Sequence, residues 1–274
     1  MIDVLSVRGI GLSGVFVYDE LESTNVTAKE MAAGGAPHGT VVVADKQTAG
    51  RGRFGRGFFS PPGLGIYMSL VLRPENVAID GFAADNAGLL TLFAAVSVSE
   101  AVEDLTGKRP GVKWVNDVIL DGKKICGIST EAVSDERRVM WIILGIGVNF
   151  CAKADDFPEE LRRIAGSVYM DGKAGVSRGV SRNQLIRGIA QRILRPGVCV
   201  GQDELVERYR RRLVMLGQKI TVHGGGGAAP YSATALDIDS LGRLIVVKEC
   251  GERAVLSAGE VSTKPTGNQE EMSE

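Results

Sequence analysis

Apolar and polar positions along the chain fall into short blocks, each of a length suited to one secondary-structure element. Val15-Phe-Val-Tyr18, Thr40-Val-Val-Val-Ala44 and Ile66-Tyr-Met-Ser-Leu-Val-Leu72 are apolar runs rich in β-branched or aromatic residues and predict strands. Between the first two, Ser23 and Thr24 are N-cap types, and 25–33 predicts a helix ended by Gly34 and Gly35. Arg73-Pro74 stops the third strand, and 85–105, rich in Ala and Leu, predicts a long helix. Residues 112–115 read as a short strand turned by Asn116 and Asp117. Residues 118–120 and 123–128 then read as a hairpin across Asp121-Gly122. Another strand is expected over 139–146, a loop-rich stretch over 151–180, and helices over 183–194 and 203–216. After Gly217 the pattern becomes all-β, with short strands at 219–222, 231–238, 242–247 and 253–256, spaced as in a small barrel.

Helices interleaved with hairpins and longer crossovers predict an α+β fold with a mixed sheet rather than a doubly wound parallel one. The domain expected over 1–215 is followed by a small barrel over 216–262 and a polar, disordered tail over 263–274. Gly224 to Gly227 reads as a flexible hairpin tip.

Composition narrows the function classes. A chain of 274 residues, 44% hydrophobic and 24% charged, can bury one sizeable core and a small appended domain. Its formal net charge of −1 provides no overall pull toward nucleic acid or an anionic membrane, so any cationic function must be local. The four cysteines (Cys126, Cys151, Cys199, Cys250) form no CxxC pair, and the two histidines (His38, His223) lack spaced partners. A zinc site, a disulfide framework and a Ser-His-Asp triad are therefore not expected. The first residues lack the basic and apolar regions of a signal peptide, and no apolar run spans a bilayer, so a cytoplasmic, reduced protein is expected.

The candidate chemistry lies in three segments. In Gln47-Thr-Ala-Gly-Arg-Gly-Arg-Phe-Gly-Arg56, glycines let the backbone approach an anion while Arg51, Arg53 and Arg56 offer planar cationic forks. This loop alone reads equally as a small-anion site or as an Arg-Gly tract for RNA. Lys113-Trp-Val-Asn-Asp117, followed by Lys123-Lys-Ile-Cys-Gly127, puts Asp117 and Lys124 on the two strands of one predicted hairpin. An acid and a lysine so placed could serve a magnesium ion and a phosphoryl group, or simply a turn and a strand edge. Gly145-Ile-Gly-Val-Asn149 is a strand end open to a ligand, or an ordinary turn; it is not a dinucleotide fingerprint.

Taken in order with Glu22-Ser-Thr-Asn25 and Leu72-Arg-Pro74, these segments resemble the biotin–protein ligase family over roughly residues 15–262. The resemblance implies a mixed-sheet catalytic domain of the biotin/lipoate ligase type with a C-terminal SH3-like barrel. It implies ATP-dependent formation of biotinyl-5′-AMP, with Mg2+, and transfer to a lysine of a biotin carboxyl carrier domain. By motif position Ser23, Thr24, Asn25, Gln47, Gly50, Arg51, Gly52, Arg53, Lys124 and Gly127 correspond to the biotin-binding set. Arg51, Arg56, Phe58, Asn116, Asp117, Lys124 and Asn149 correspond to the ATP side. Arg53, Asp117 and Lys124 carry the catalytic assignment, Asp117 also as a magnesium contact. The family usually has proline where Val115 stands, tryptophan where Phe58 stands and a basic residue where Phe54 stands. Family habit implies a homodimer, and the residues ahead of Val15 are too few for a DNA-binding domain, so no DNA and no membrane partner is expected. Lipoate- or octanoate-protein ligation is the alternative chemistry, and non-enzymatic RNA binding a more distant one.

Overall fold

The computed structural model describes residues 2, 12–52, 55–83, 86–135, 138–172, 179–195, 197–223, 229–257 and 260–263. Strands β1 (Gly14–Leu21), β2 (Thr40–Gln47), β3 (Gly65–Leu72), β4 (Gly111–Lys113), β5 (Asp117–Leu120), β6 (Lys123–Ser134) and β7 (Val139–Asn149) form one sheet in the order β1-β2-β3-β7-β6-β5-β4. Only β1 and β2 run parallel; helix α1 (Thr24–Ala33) makes the crossover between them. The remaining neighbours are antiparallel, which gives the expected mixed α+β sheet.

Every residue of β3 is buried, because both faces of the sheet are covered there. One face carries Val41, Val43, Ile66, Met68, Leu70 and Leu72 against helix α2 (Ala87–Thr106). That helix buries residues nearly all round, since α3 (Arg182–Ile193) and α4 (Gln202–Arg210) pack against its other sides. It stops at Gly107, whose φ of 70° closes the last turn through an N–H donated to the Glu103 carbonyl. The arginine-rich stretch at the end of α4 is a structural clamp: Arg208 of α4 pairs with Glu100, and Arg212, just beyond α4, with Glu103, both on α2.

The Asp121-Gly122 hairpin forms as expected, with φ of 51° and 74° at the two turn residues. The helix expected to run to 216 ends at Arg210. Beyond it the chain straightens to pair with β4: the Val112 N–H donates to the Arg212 carbonyl and the Val214 N–H to the Val112 carbonyl. Tertiary pairing there overrides a favourable helical composition. The expected loop over 151–180 contains two 3-10 turns, Ala154–Asp156 and Glu159–Leu161.

The C-terminal strands β8 (Lys219–His223), β9 (Tyr231–Ile238), β10 (Leu244–Lys248), β11 (Arg253–Leu256) and β12 (Glu260–Thr263) form a five-stranded antiparallel sheet, ordered β11-β10-β9-β8-β12. The glycine tract 224–227 and the tail from 264 lie outside the described residues. Ile220, Val222, Ala235, Ile238, Leu244 and Val246 share one buried cluster with α2, so the small sheet is docked on the large domain. The Trp114 indole N–H donates to the Gly242 carbonyl at 2.9 Å, and a Cβ on Gly242 would lie 2.2 Å from Leu92 Cδ2.

Gly242 also has a φ of +73°. Gly242→Ala should therefore lower stability by about 1–3 kcal/mol through overpacking and backbone strain. A denaturant midpoint equal to wild type would mean that this turn does not seat tightly on α2.

Candidate active site

Strand register on the face away from α2 aligns side chains in three rows. Tyr67, Gly147, Gly127 and Asp117 stand in one row; Ser69, Gly145 and Ser129 in the next; Val71, Ile143 and Glu131 in the third. Helix α1 covers the third row, where Ala28 and Ala32 pack on Val42, Val71 and Ile143. The first two rows have little side-chain bulk at their centres. They floor a cleft open to solvent, lined among others by Ser23, Asn25, Gln47, Arg51, Phe58, Lys124 and Gly147.

One end of the cleft is a directional chain of hydrogen bonds. Gln47 Oε1 accepts from the Thr24 N–H at 2.8 Å and from the Thr24 hydroxyl at 3.1 Å, while Gln47 Nε2 donates to Ser60 Oγ at 2.9 Å. Ser60 in turn donates to the Phe58 carbonyl. Gln47 thus satisfies a donor of the first turn of α1; Ser23 holds the N-cap position but its side chain makes no capping bond. Ser69 Oγ lies 2.8 Å from Thr24 Oγ1 and 2.6 Å from Asn25 Oδ1. Asn25 Nδ2 donates to Ser129 Oγ at 3.1 Å and to Glu131 Oε1 at 2.6 Å. Lys29 pairs with the other Glu131 oxygen. A Cβ on Gly145 would lie 2.3 Å from Asn25 Oδ1, so only glycine leaves room for this amide.

The other end is cationic and aromatic. Lys124 Nζ pairs with Asp117 Oδ1 at 2.6 Å across the β5–β6 ladder. The Phe58 ring lies on the bare backbone of the sheet, where a Cβ on Gly147 would come 2.6 Å from Cε1 and one on Gly127 3.3 Å from Cε2. Its edge contacts Tyr67, with centroids 6.4 Å apart. Burial raises the Tyr67 hydroxyl's pKa; the group donates to the Pro61 carbonyl and stays protonated. The arginine–glycine loop folds back on itself: Phe58 N–H donates to the Gly50 carbonyl, Arg51 bridges Gly57, and Gly52 N–H donates to the Arg56 carbonyl. Gly50 belongs to this closure, since a Cβ there would lie 2.6 Å from the Phe58 carbonyl oxygen. Arg51 pairs with Glu22 at 3.0 Å, both side chains more than half exposed, so the pair is readily exchanged for a ligand anion.

Residues 17–149 match the Biotin/lipoate A/B protein ligase family, and residues 215–264 match the Biotin protein ligase C terminal domain. The biotin–[acetyl-CoA-carboxylase] ligase of Mycobacterium tuberculosis is 32% identical over 263 residues, covering 94% of this chain and 92% of that protein. The chain belongs to the biotin–protein ligase family. The bifunctional ligase/repressor BirA of Bacillus spizizenii is 43% identical over 241 residues, 88% of this chain and 71% of that relative. The Aquifex aeolicus biotin protein ligase, solved in complex with biotin and ATP, superposes with a TM-score of 0.74 at 27% identity over 92% of this chain and 99% of that one. The small C-terminal sheet is accordingly the SH3-like element of a biotin–protein ligase.

Of the residues that the sequence nominates, Ser23, Thr24, Asn25, Gln47, Arg51, Gly52, Phe58, Asn116, Lys124 and Gly127 line the cleft. Asp117 reaches it through Lys124, and Gly50 through the loop closure. Arg56 and Asn149 are outside the lining. Asn149 is buried and its Nδ2 donates to the Gly166 carbonyl, tying the end of β7 to the 160s segment, which itself bridges to β6 at Lys124. Arg53 and Phe54 lie outside the described residues. Sequence reading missed Ser69, Ser129 and Glu131. Their signal was the alternation along β3 and β6, which puts 69, 129 and 131 on the same face as Gly127.

Burial would raise the Glu131 pKa, but the hydrogen bonds from Lys29 and Asn25, aided by Arg51, hold it below the usual glutamate value. A folded-state pKa below the unfolded one adds stability that is present above the unfolded value and lost as pH falls through the folded one. The stability gap between wild type and Glu131→Gln should therefore be level near neutrality and narrow once pH drops below the ordinary carboxylate range. Chemical denaturation across pH measures it; a gap that stays constant into acid would contradict the assignment.

Proposed function

We propose that this protein joins biotin to a lysine of a biotin carboxyl carrier domain, in two steps that consume ATP. A biotin carboxylate oxygen attacks the α-phosphorus, giving biotinyl-5′-AMP and releasing pyrophosphate. The carrier lysine's neutral amine then attacks the acyl carbon, an amide forms, AMP leaves and the amine gives up a proton. The observation that carries the reading is the polarity of the cleft within a chain of this family. A donor–acceptor chain at one end suits the ureido ring, and Lys124 at the other suits a carboxylate meeting a phosphate.

Two anions must approach each other in the first step, so fixed cations at the reacting end lower the barrier. Lys124 serves there as a catalytic residue, held by Asp117 so that its ammonium needs little reorganisation. Arg53 and Arg51 are assigned to the same anions, and Arg56, Asn116 and Phe58 to the nucleotide. Phe58 already lies against glycine backbone, so its ring presents one face to an adenine or to the thiophane ring. Asn149 supports this side through Gly166 and Lys124. Magnesium would enter with ATP. Among the described residues no three acidic, histidine or cysteine side chains converge, which fits an ion held mainly by phosphates, with Asp117 as its protein contact.

The proposal assigns residues 1–215 to catalysis and 216–262 to the docked barrel. It includes a homodimer, for which β1, an edge strand of the large sheet, is the candidate seam; β4, at the other edge, is already covered by residues 212–214. A cytoplasmic setting agrees with four free cysteines, and the absence of a DNA role with a net charge of −1. Among the described residues no helix is long and apolar enough to cross a membrane.

Biotin-dependent ATP–pyrophosphate exchange, followed by transfer to a carrier domain, tests the reaction. Lipoate in place of biotin should give no exchange; exchange with lipoate alone would overturn the choice of substrate. Lys124→Ala should slow adenylate formation by about 10²-fold or more, and a variant that biotinylates a carrier at the wild-type rate would remove Lys124 from the mechanism.

A further inference from the structure

Glu131 has no role in the chemistry above, yet it sits at the head of the hydrogen-bond chain that reaches the polar end of the cleft. Its two oxygens are divided between two residues of α1 one turn apart: Oε1 accepts from Asn25 Nδ2 and Oε2 faces the Lys29 ammonium. A carboxylate only accepts. The Asn25 amide must therefore turn its NH2 toward Glu131 and Ser129 and its oxygen toward Ser69 and over Gly145, which lines the cleft. Gly145 underlies that amide so closely that no side chain fits beneath it.

We propose that Glu131 is a positioning residue which fixes the orientation of the Asn25 amide, so that the polar end of the cleft presents an acceptor to a ligand N–H. The inference rests on the proposed use of biotin, whose ureido ring carries N–H donors. A reversed Asn25 would set NH2 against N–H, a repulsive pairing at a desolvated position. Lys29 has a part in this. In Glu131→Gln the single amide oxygen has two claimants, and the charged Lys29 ammonium is the stronger. The NH2 of the substituted side chain would then face Asn25 and drive its amide to invert. Removing the Lys29 charge in the same protein would free the oxygen to accept from Asn25 again.

The order of affinities is thus specific. By titration calorimetry Glu131→Gln should bind biotin about tenfold more weakly than wild type, and the double variant Glu131→Gln with Lys29→Met should recover to within about threefold. If Glu131 merely clamps α1 to the sheet, the double variant will bind as weakly as the single or worse; that result, or wild-type affinity in Glu131→Gln, overturns the proposal. The Asn25 side-chain amide resonances give a reading that needs no ligand. They should shift in Glu131→Gln and return in the double variant, and unmoved resonances also overturn it. Should the single variant not fold, Lys29→Met alone decides: Glu131 still holds Asn25, so the Asn25 resonances must stay near their wild-type positions. A wild-type protein that ignores biotin would sink the proposed function, while the amide resonances would still judge the role of Glu131.

Discussion

The site depends on bare backbone at the middle of the large sheet. β6 and β7 carry glycine at 127, 145 and 147, and each is within contact range of a side chain lying on it: Lys124, Asn25 or Phe58. A close-packed interior transmits any added volume to its neighbours. A methyl group at 145 would displace the Asn25 amide, and one at 147 the Phe58 ring. The opposite face of the same strands makes no such concession. Ile142, Leu144, Ile146 and Val148 are buried on α2 and its neighbours, and that packing supports the ladder beneath the cleft. One strand therefore does two jobs, divided by the period-2 alternation of its side chains.

The ends of the cleft differ in kind. At the polar end the hydrogen bonds run in fixed directions, anchored by a backbone carbonyl at Phe58 and by the Glu131 carboxylate. Fixed donors and acceptors select a ligand by the cost of a mismatch more than by the gain of a match. At the reacting end Lys124 is paired with Asp117, and beside the start of α1 Arg51 is paired with Glu22, so each of these cations has a carboxylate partner among the described residues. Partnered cations keep their geometry in the empty cleft, and the exposed Arg51–Glu22 pair can open toward a ligand anion at small cost, whereas the half-buried Lys124–Asp117 pair is held more firmly. The backbone of Lys124 is held from two sides, by the β5–β6 hairpin and by Ile164 and Gly166. That places the reacting end on one of the better supported stretches of the chain.

Local chemistry was enough to read much of this from the amino-acid sequence. The helix at Thr24–Ala33, the Asp121-Gly122 turn, the long helix at Ala87–Thr106 and the β-only C-terminal segment all follow from caps, turn residues and periodicity. The ordered motifs around Gln47, Asp117 and Lys124 were legible as well, since residue types suited to anions recurred in the family's order. What the sequence could not set was pairing across distance. It offered Ser23 and Thr24 as cap types, and Ser23 does take the N-cap position, but the side chain that bonds the first-turn N–H is Gln47, 23 residues beyond Thr24. It ran the last helix to 216, whereas Val112 draws residues 212–214 into a strand-like pairing. It passed over Glu131, because a glutamate in a strand reads as a solvated side chain until the register sets it opposite Ile143 and within reach of α1. Short-range preferences are written in neighbouring residues; whether a serine, a glutamate or an asparagine becomes part of a binding site is decided by which strand lies beside it, and that choice belongs to the tertiary structure.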